Sequence, residues 1–341
     1  MTQLKLNRRS LVKSISMLAA GGTALMKSGN LTAAVEEATQ SVNEWPDMQY
    51  RTLGNTGFKG SRLVFGCGAA LSHGQANNLL EPAFESGINV FDVGYSAYYR
   101  DAEKNLAPFV KKHGDDIFLI SKATVGDIKA TQMVNTAQAR QAAAIWTKHM
   151  DKSLKKLDVE HVDAYYLMAS NNPAVVKSEE IYKAFSTAKA AGKVSYLGIS
   201  THEQAEECLL AATETGWYSL AQIAITPQGW YDWASKKTLK GSKDMLSLRP
   251  VLDQARDAGI GLIGMKAGRF LAGRKFAGWG APDAFDSHYP EKVKQADLTT
   301  FQRSYAYVLA HGLDAVNADM QHWQHLKENF IAATTAQTYF V

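Results

Sequence analysis

Short apolar runs recur along this chain, each bounded by a longer stretch with helical spacing of its apolar residues. The runs cover residues 63–67, 88–93, 117–122, 162–168, 196–200, 220–225, 261–266 and 315–320, and helical patterns lie at 76–86, 138–157, 178–191, 204–215 and 248–258. Runs this short that lack polar alternation read as strands covered on both faces, which is the habit of a parallel sheet. Eight such units predict an α/β chain closed into one (β/α)8 TIM barrel, which needs about 250 residues plus loops. The competing doubly wound sheet announces itself with a Gly-x-Gly-x-x-Gly turn after its first strand, and none is present. Before the first run, the glycines of Arg51-Thr-Leu-Gly54-Asn-Thr-Gly57 suit a short hairpin.

In a barrel of this kind chemistry sits where the strands end. Asp92, Lys122, Met168, Ser200 and Lys266 all fall at or near the ends of apolar runs. Two connections are long. Residues 226–248 carry Trp230, Tyr231 and Trp233, and residues 268–297 carry Phe270, Phe276, Trp279, Phe285 and Tyr289. Their aromatic content argues against disorder, and both are expected to wall a substrate pocket.

The N-terminus speaks to compartment. Asn7-Arg8-Arg9-Ser10-Leu11-Val12-Lys13 matches a bacterial twin-arginine export signal, and Thr32-Ala33-Ala34 offers small residues for cleavage after Ala34. The apolar stretch between them is interrupted by Gly21-Gly22 and is short of the roughly 20 residues a membrane span needs. The expected organisation is a signal peptide over 1–34, a linker over 35–50 and the barrel over 51–341, exported to the periplasm by the twin-arginine machinery and without a stable membrane span. Charge agrees with this division. The five cations of residues 1–34 exceed the whole-chain excess of +4, so the remainder carries −1. The basic balance belongs to the removable segment, and nothing points to nucleic acid. Cys67 and Cys208 have neither metal nor redox spacing and read as buried thiols. His322 and His325 lack the further ligands a metal site would need and read as a solvated helix face.

Four phrases occur in order at barrel spacing: Gly87-Ile-Asn-Val-Phe-Asp92, Ala191-Gly-Lys-Val-Ser-Tyr-Leu-Gly-Ile-Ser200, Gly259-Ile-Gly-Leu-Ile-Gly-Met-Lys266 and Leu326-Lys-Glu-Asn329. With them the chain resembles the aldo-keto reductases from about Arg51 to Asn329. The resemblance implies a catalytic tetrad of Asp, Tyr, Lys and His, in which the tyrosine protonates the substrate oxygen as hydride arrives from a nicotinamide. A phenol near pKa 10 needs a neighbouring cation to do so near neutrality. Asp92 and Lys122 match their positions. The tyrosine slot, five residues after the aspartate, holds Ala97; a one-residue insertion puts Tyr98 there, ahead of Tyr99, and brings Glu103 to family-like distance. Met168 stands where the histidine would donate a hydrogen bond to the carbonyl. A thioether donates none, and loss of such a donor costs on the order of 10²–10³ in rate.

The resemblance further implies that Ser200, Gln222, Lys266, Glu328 and Asn329 bind the cofactor. Thr201 replaces a frequent asparagine, Met265 a frequent stacking aromatic, and Val316-Asn-Ala-Asp-Met320 a phosphate-gripping turn. Asp319 falls near a family lysine and His325 near a family arginine. A carboxylate repels a 2′-phosphate but accepts from a ribose hydroxyl, which favours NAD over NADP. The expected function is carbonyl–alcohol interconversion on a small carbonyl or sugar-like substrate, altered or weakened by Met168. The other readings are a periplasmic binding protein that has lost catalysis and no longer needs a cofactor, and a lyase or isomerase using Lys122 and the tyrosine as an acid/base pair.

Overall fold

Eight strands pair in parallel and close on themselves. The computed structural model describes residues 45–272 and 280–340. The twin-arginine segment, its cleavage site, most of the linker, Phe276 and Trp279 lie outside the described residues. A hairpin comes first, β1 (Tyr50–Thr52) against β2 (Lys59–Ser61). The barrel strands then follow in chain order: β3 (Leu63–Gly66), β4 (Val90–Asp92), β5 (Phe118–Ala123), β6 (Val162–Met168), β7 (Val194–Thr201) and β8 (Leu220–Thr226). A ribbon of β9 (Gly229–Asp232) and β10 (Lys237–Thr238) precedes β11 (Gly261–Met265) and β12 (Ala315–Asp319). Pairing of β12 with β3 closes the ring.

The apolar runs are strands because both of their faces are covered. Val64, Val90, Phe118, Ile120, Ala164, Tyr166, Leu220, Ile263 and Ala315 fill the inside. Phe65, Phe91, Leu119, Tyr165, Leu197 and Ile223 pack outward under the helices. Each such large side chain contributes about 1.5–3 kcal/mol when fully buried. The hairpin seals the N-terminal end, with Leu53 and Phe58 packed on the inner cluster and the Phe58 ring 5.1 Å from Phe118. Gly54 allows this closure. Its φ is +51°, and a Cβ there would come within 2.3 Å of the Gly261 nitrogen.

The outer helices follow the predicted stretches within a few residues. Thr136–Leu157 begins with a capping box in which Asn135 and Gln138 bond each other's backbone, and Ser178 caps Glu179–Ala190. The 76–86 stretch resolves into a 3-10 turn, Asn77–Leu79, and a helix, Leu80–Glu85. Helices Ala102–His113, Thr300–Ala310 and Trp323–Phe340 complete the layer.

The two long connections divide in character. Residues 226–248 are not a plain loop: β9 turns back antiparallel on β8 (Ile225↔Trp230, Thr226↔Gly229) and carries Tyr231 and Trp233 over Met265 at the barrel mouth. In the second, Phe270 joins that same cluster, whereas Phe285 and Tyr289 are buried, the latter 5.6 Å from Tyr307. No helix among the described residues is long and apolar enough to cross a membrane.

Candidate active site

Asp92 is the last residue of β4, so its side chain emerges at the C-terminal rim. It is 3% exposed, and its Oδ2 accepts from Lys122 Nζ, from Asn317 Nδ2 and, at 3.2 Å, from Gln222 Nε2. Lys122, 5% exposed, also donates to Gln222 Oε1 at 3.4 Å. One carboxylate oxygen thus gathers donors from β5, β8 and β12. A buried ion pair persists when further hydrogen bonds of this kind offset its desolvation, and removing one partner costs about 3–5 kcal/mol. Asp92 Oδ1 has no partner among the described residues.

The tyrosine-rich loop sorts its three rings by a single helical turn, Ser96–Tyr99. Tyr98 and Tyr99 both donate their backbone N–H to Tyr95 O. Successive residues of a turn point about 100° apart, so the two side chains part. Tyr95 turns to Thr124, with the hydroxyls 3.0 Å apart. Tyr98 is 56% exposed. Tyr99 enters a slot that two glycines leave open. A Cβ on Gly68 would lie 2.6 Å from Tyr99 Cε1; one on Gly94 would lie 2.8 Å from Tyr99 Cδ2 and 3.2 Å from Lys122 Cγ. The Tyr99 ring and the Lys122 stem therefore flank the same point. This differs from the count that put Tyr98 first, because the turn rather than the offset from Asp92 decides which ring faces inward. Burial and then the Asp92 charge push the Tyr99 phenol well above its ordinary range, so it is a protonated donor at neutral pH.

The rest of the rim is read across the ladder. Met168 is the register partner of Ser200, and Ser200 of Gln222. All three are buried. The Gln222 amide is engaged in the Asp92–Lys122 pair, where it acts as a strut. Lys266 follows β11 in left-handed backbone (φ +69°), with its ammonium 4.9 Å from the Trp233 ring centroid. Burial, then Arg269 and Lys122, lower it to about 8. Glu328 and Asn329 lie on the C-terminal helix outside the Asp92 network: Gln324 donates to the Glu328 carboxylate, and Asn329 is buried. Asp319, exposed at the end of β12, accepts from Gln321 Nε2 at 2.9 Å. Cys67 and Cys208 are buried free thiols, and the rings of His322 and His325 face each other at 5.2 Å.

Three participants were not anticipated. Asn317 grips Asp92; its signal is parity, since it lies two residues beyond inward-facing Ala315. His202 lies two residues beyond Ser200. Asn171 Oδ1 holds its strand end by accepting from Thr201 Oγ1, His202 N and Glu203 N at 3.2, 3.0 and 3.1 Å. Burial, then Lys266, Lys122 and Lys236, lower its imidazole to about 3, so it is neutral at working pH. Lys236, on the ribbon, sets its ammonium 3.1 Å from the centroid of Trp233.

Comparison with known proteins places this rim in context. The Aldo/keto reductase family model matches residues 53–275. An uncharacterised oxidoreductase of Bacillus subtilis is 24% identical over 240 residues, covering 67% of this chain and 69% of that protein. The versiconal hemiacetal acetate reductase of Aspergillus parasiticus is 23% identical over 237 residues (63% and 66%), and the L-glyceraldehyde 3-phosphate reductase of Escherichia coli is 28% identical over 167 residues (46% of each). Among solved structures, an aldo-keto reductase of Pseudomonas aeruginosa superposes with a TM-score of 0.61 at 19% identity, covering 87% of this chain and 99% of that one. The chain belongs to the aldo/keto reductase family and is an oxidoreductase of that family.

Proposed function

We propose that the rim reduces the carbonyl of a small molecule with a nicotinamide cofactor, Tyr99 giving the proton. The observation that carries this reading is the meeting of the Tyr99 ring and the Lys122 stem over Gly94. The residues present fit a dinucleotide. Lys266 is a half-buried cation with no ion-pair partner among the described residues, as a diphosphate would require, and Ser200 and Gln222 adjoin in register below it. When bound, a reduced nicotinamide supplies the hydride. The chain's residues handle the proton. Tyr99 donates to the carbonyl oxygen as negative charge develops there. Lys122, held by Asp92 and Gln222, is the cation whose stem flanks the Tyr99 ring, and a cation beside a phenol favours its phenolate. Met168 adds no donor, so the oxygen is held mainly by Tyr99. Asp319 favours NAD over NADP by repelling a 2′-phosphate. Tyr99→Phe should lower kcat for NADH-dependent carbonyl reduction by about 10²–10⁴, the span of positioned proton transfer, with NADH affinity kept. Tyr98→Phe should change it by no more than about threefold, well inside one decade. The reverse pattern would show that the exposed tyrosine is the acid.

A further inference from the structure

We propose that Trp233, Lys236 and His202 form a subsite for an anionic group, a carboxylate or a phosphate monoester, on the carbonyl substrate. The inference rests on the reductase reading and names the substrate class. The β9–β10 ribbon is folded so that its turn overhangs the mouth. Asp232 pairs with Lys237 and Tyr231 with Thr238, which confines the turn to residues 233–236. Tyr231 and Trp233 pack over Met265, at the end of β11. Lys236 has φ +60°, a left-handed conformation that a residue with a side chain disfavours, and its ammonium lies 3.1 Å from the indole centroid. Lys266, also at positive φ, places a second ammonium 4.9 Å from the same ring. The His202 ring is 5.5 Å away.

Two ammonium groups on one indole repel each other, and each occupies a backbone conformation lysine disfavours. The ring face attracts each cation and offsets part of that. Carboxylates act on them only at longer range: among the described residues neither lysine forms an ion pair, while the charges of Asp232 and Asp319 reach Lys236 and Lys266 respectively. The acid nearest in sequence, Asp232, accepts instead from the backbone N–H groups of Ala234 and Ser235 at 3.1 and 2.9 Å. Both ammonium groups are thus left without a carboxylate in contact, a place that a bound anion would fill. A neutral imidazole adds a hydrogen-bond donor without adding to the repulsion. An ammonium, an imidazole N–H and an aromatic wall form a donor set for an oxyanion beside an apolar chain.

On the reductase reading Lys266 serves the dinucleotide. Lys236 comes from the ribbon rather than from a barrel strand end, and the His202 imidazole feels both Lys236 and the Lys122 of the reacting centre. That places the extra anion on the substrate. It also makes the substrate a short one, with its charge a few bonds from its carbonyl.

The test uses the full chain and two probes. Inorganic phosphate should quench tryptophan emission in the wild type and not in Trp233→Phe. The midpoint should rise about tenfold or more in Lys236→Met, stay near wild type in Lys236→Arg, and not move in Lys240→Gln, a control at an exposed lysine beyond the ribbon. A four-carbon aldehyde ending in a carboxylate should have a KM about tenfold or more below that of the neutral aldehyde of the same length, a ratio that collapses in Lys236→Met while kcat holds. Absence of quenching, or quenching indifferent to Lys236→Met, overturns the subsite. Phosphate displaced one-for-one by NADH alone assigns these cations to the dinucleotide and also overturns it. Lys236-dependent phosphate binding without turnover of either aldehyde keeps the anion site and defeats the reductase reading instead.

Discussion

At the scale of single residues, the proposed reaction turns on Met168. It ends β6 beside Ser200, one strand from Lys122, and is buried. The Asp92–Lys122–Gln222–Asn317 network and the inward Tyr99 leave the proton-donating half of the centre assembled. On the proposed reading, what Met168 withholds is a second donor to the carbonyl oxygen. Met168→His replaces one side chain of moderate size by another that can donate, so the scaffold need not move far to accept it. We expect kcat for NADH-dependent reduction to rise by about tenfold or more, a fraction of the 10²–10³ an oriented donor supplies. Steady-state kinetics with KM recorded separately checks this. An unchanged kcat would mean that the carbonyl oxygen does not sit at the end of β6. These residues could be found in the sequence because an apolar run has to end where the strand leaves the barrel. The choice of Tyr99 over Tyr98 could not, because a turn of four residues rotates the ring without leaving a trace in composition. His202 and Asn317 were visible only to someone counting by twos from a residue already known to face inward.

At the scale of elements, the strand that carries Lys122 is tied to the helix behind it through a buried acid. Glu103, in the first turn of Ala102–His113, is 1% exposed and accepts from Ser121 Oγ at 3.0 Å, one residue before Lys122. Its Oε2 has no partner among the described residues. Burial raises its carboxyl from 4.5 to about 7, against smaller opposing contributions from Ser153, Ser121, Lys156 and the Ser96 backbone. The folded protein therefore binds a proton that the unfolded chain has released between those two values. The stability this supplies is complete below about pH 4.5 and is lost as pH rises to about 7, in total on the order of 3 kcal/mol. Thermal unfolding should show it as a difference. Between pH 5 and 7.5 the wild type should lose several degrees of Tm relative to Glu103→Gln, which has no proton to release there. Parallel curves for the two proteins would show that the carboxyl stays ionised. The same comparison separates what elements reveal in sequence from what they hide. Helices announced themselves by caps and period, as at Asn135 and Ser178. The β9–β10 ribbon did not: its strands are four and two residues long and pair only with each other and the tip of β8, too little to set an alternation.

For the molecule as a whole, closure explains why so much could be read in advance. Eight parallel strands covered on both faces need near-continuous apolar runs, and nothing else about the chain has to be known to count them. Closure also bears on how such a protein could reach another compartment. The centre exists only after strands as distant in sequence as β4 and β12 have met, since Asn317 and Asp92 are 225 residues apart. A dinucleotide held at that rim would have to be acquired where it is abundant, so the assembled barrel with its cofactor is the form worth exporting. We propose that the twin arginine at Arg8 and Arg9 addresses the chain to the route that takes folded cargo; removal of residues 1–34 with their five cations would leave the remainder nearly neutral. Arg8→Lys combined with Arg9→Lys keeps that charge and alters only the motif. We expect the double variant to remain in the cytoplasm at full length, while the wild type is recovered outside it and cut after Ala34. Cell fractionation followed by intact-mass measurement distinguishes the two, and the same spectra report any dinucleotide that travels with the exported protein. Equal export of both proteins would remove the twin-arginine assignment and, with it, the reason to expect a cofactor loaded before transport.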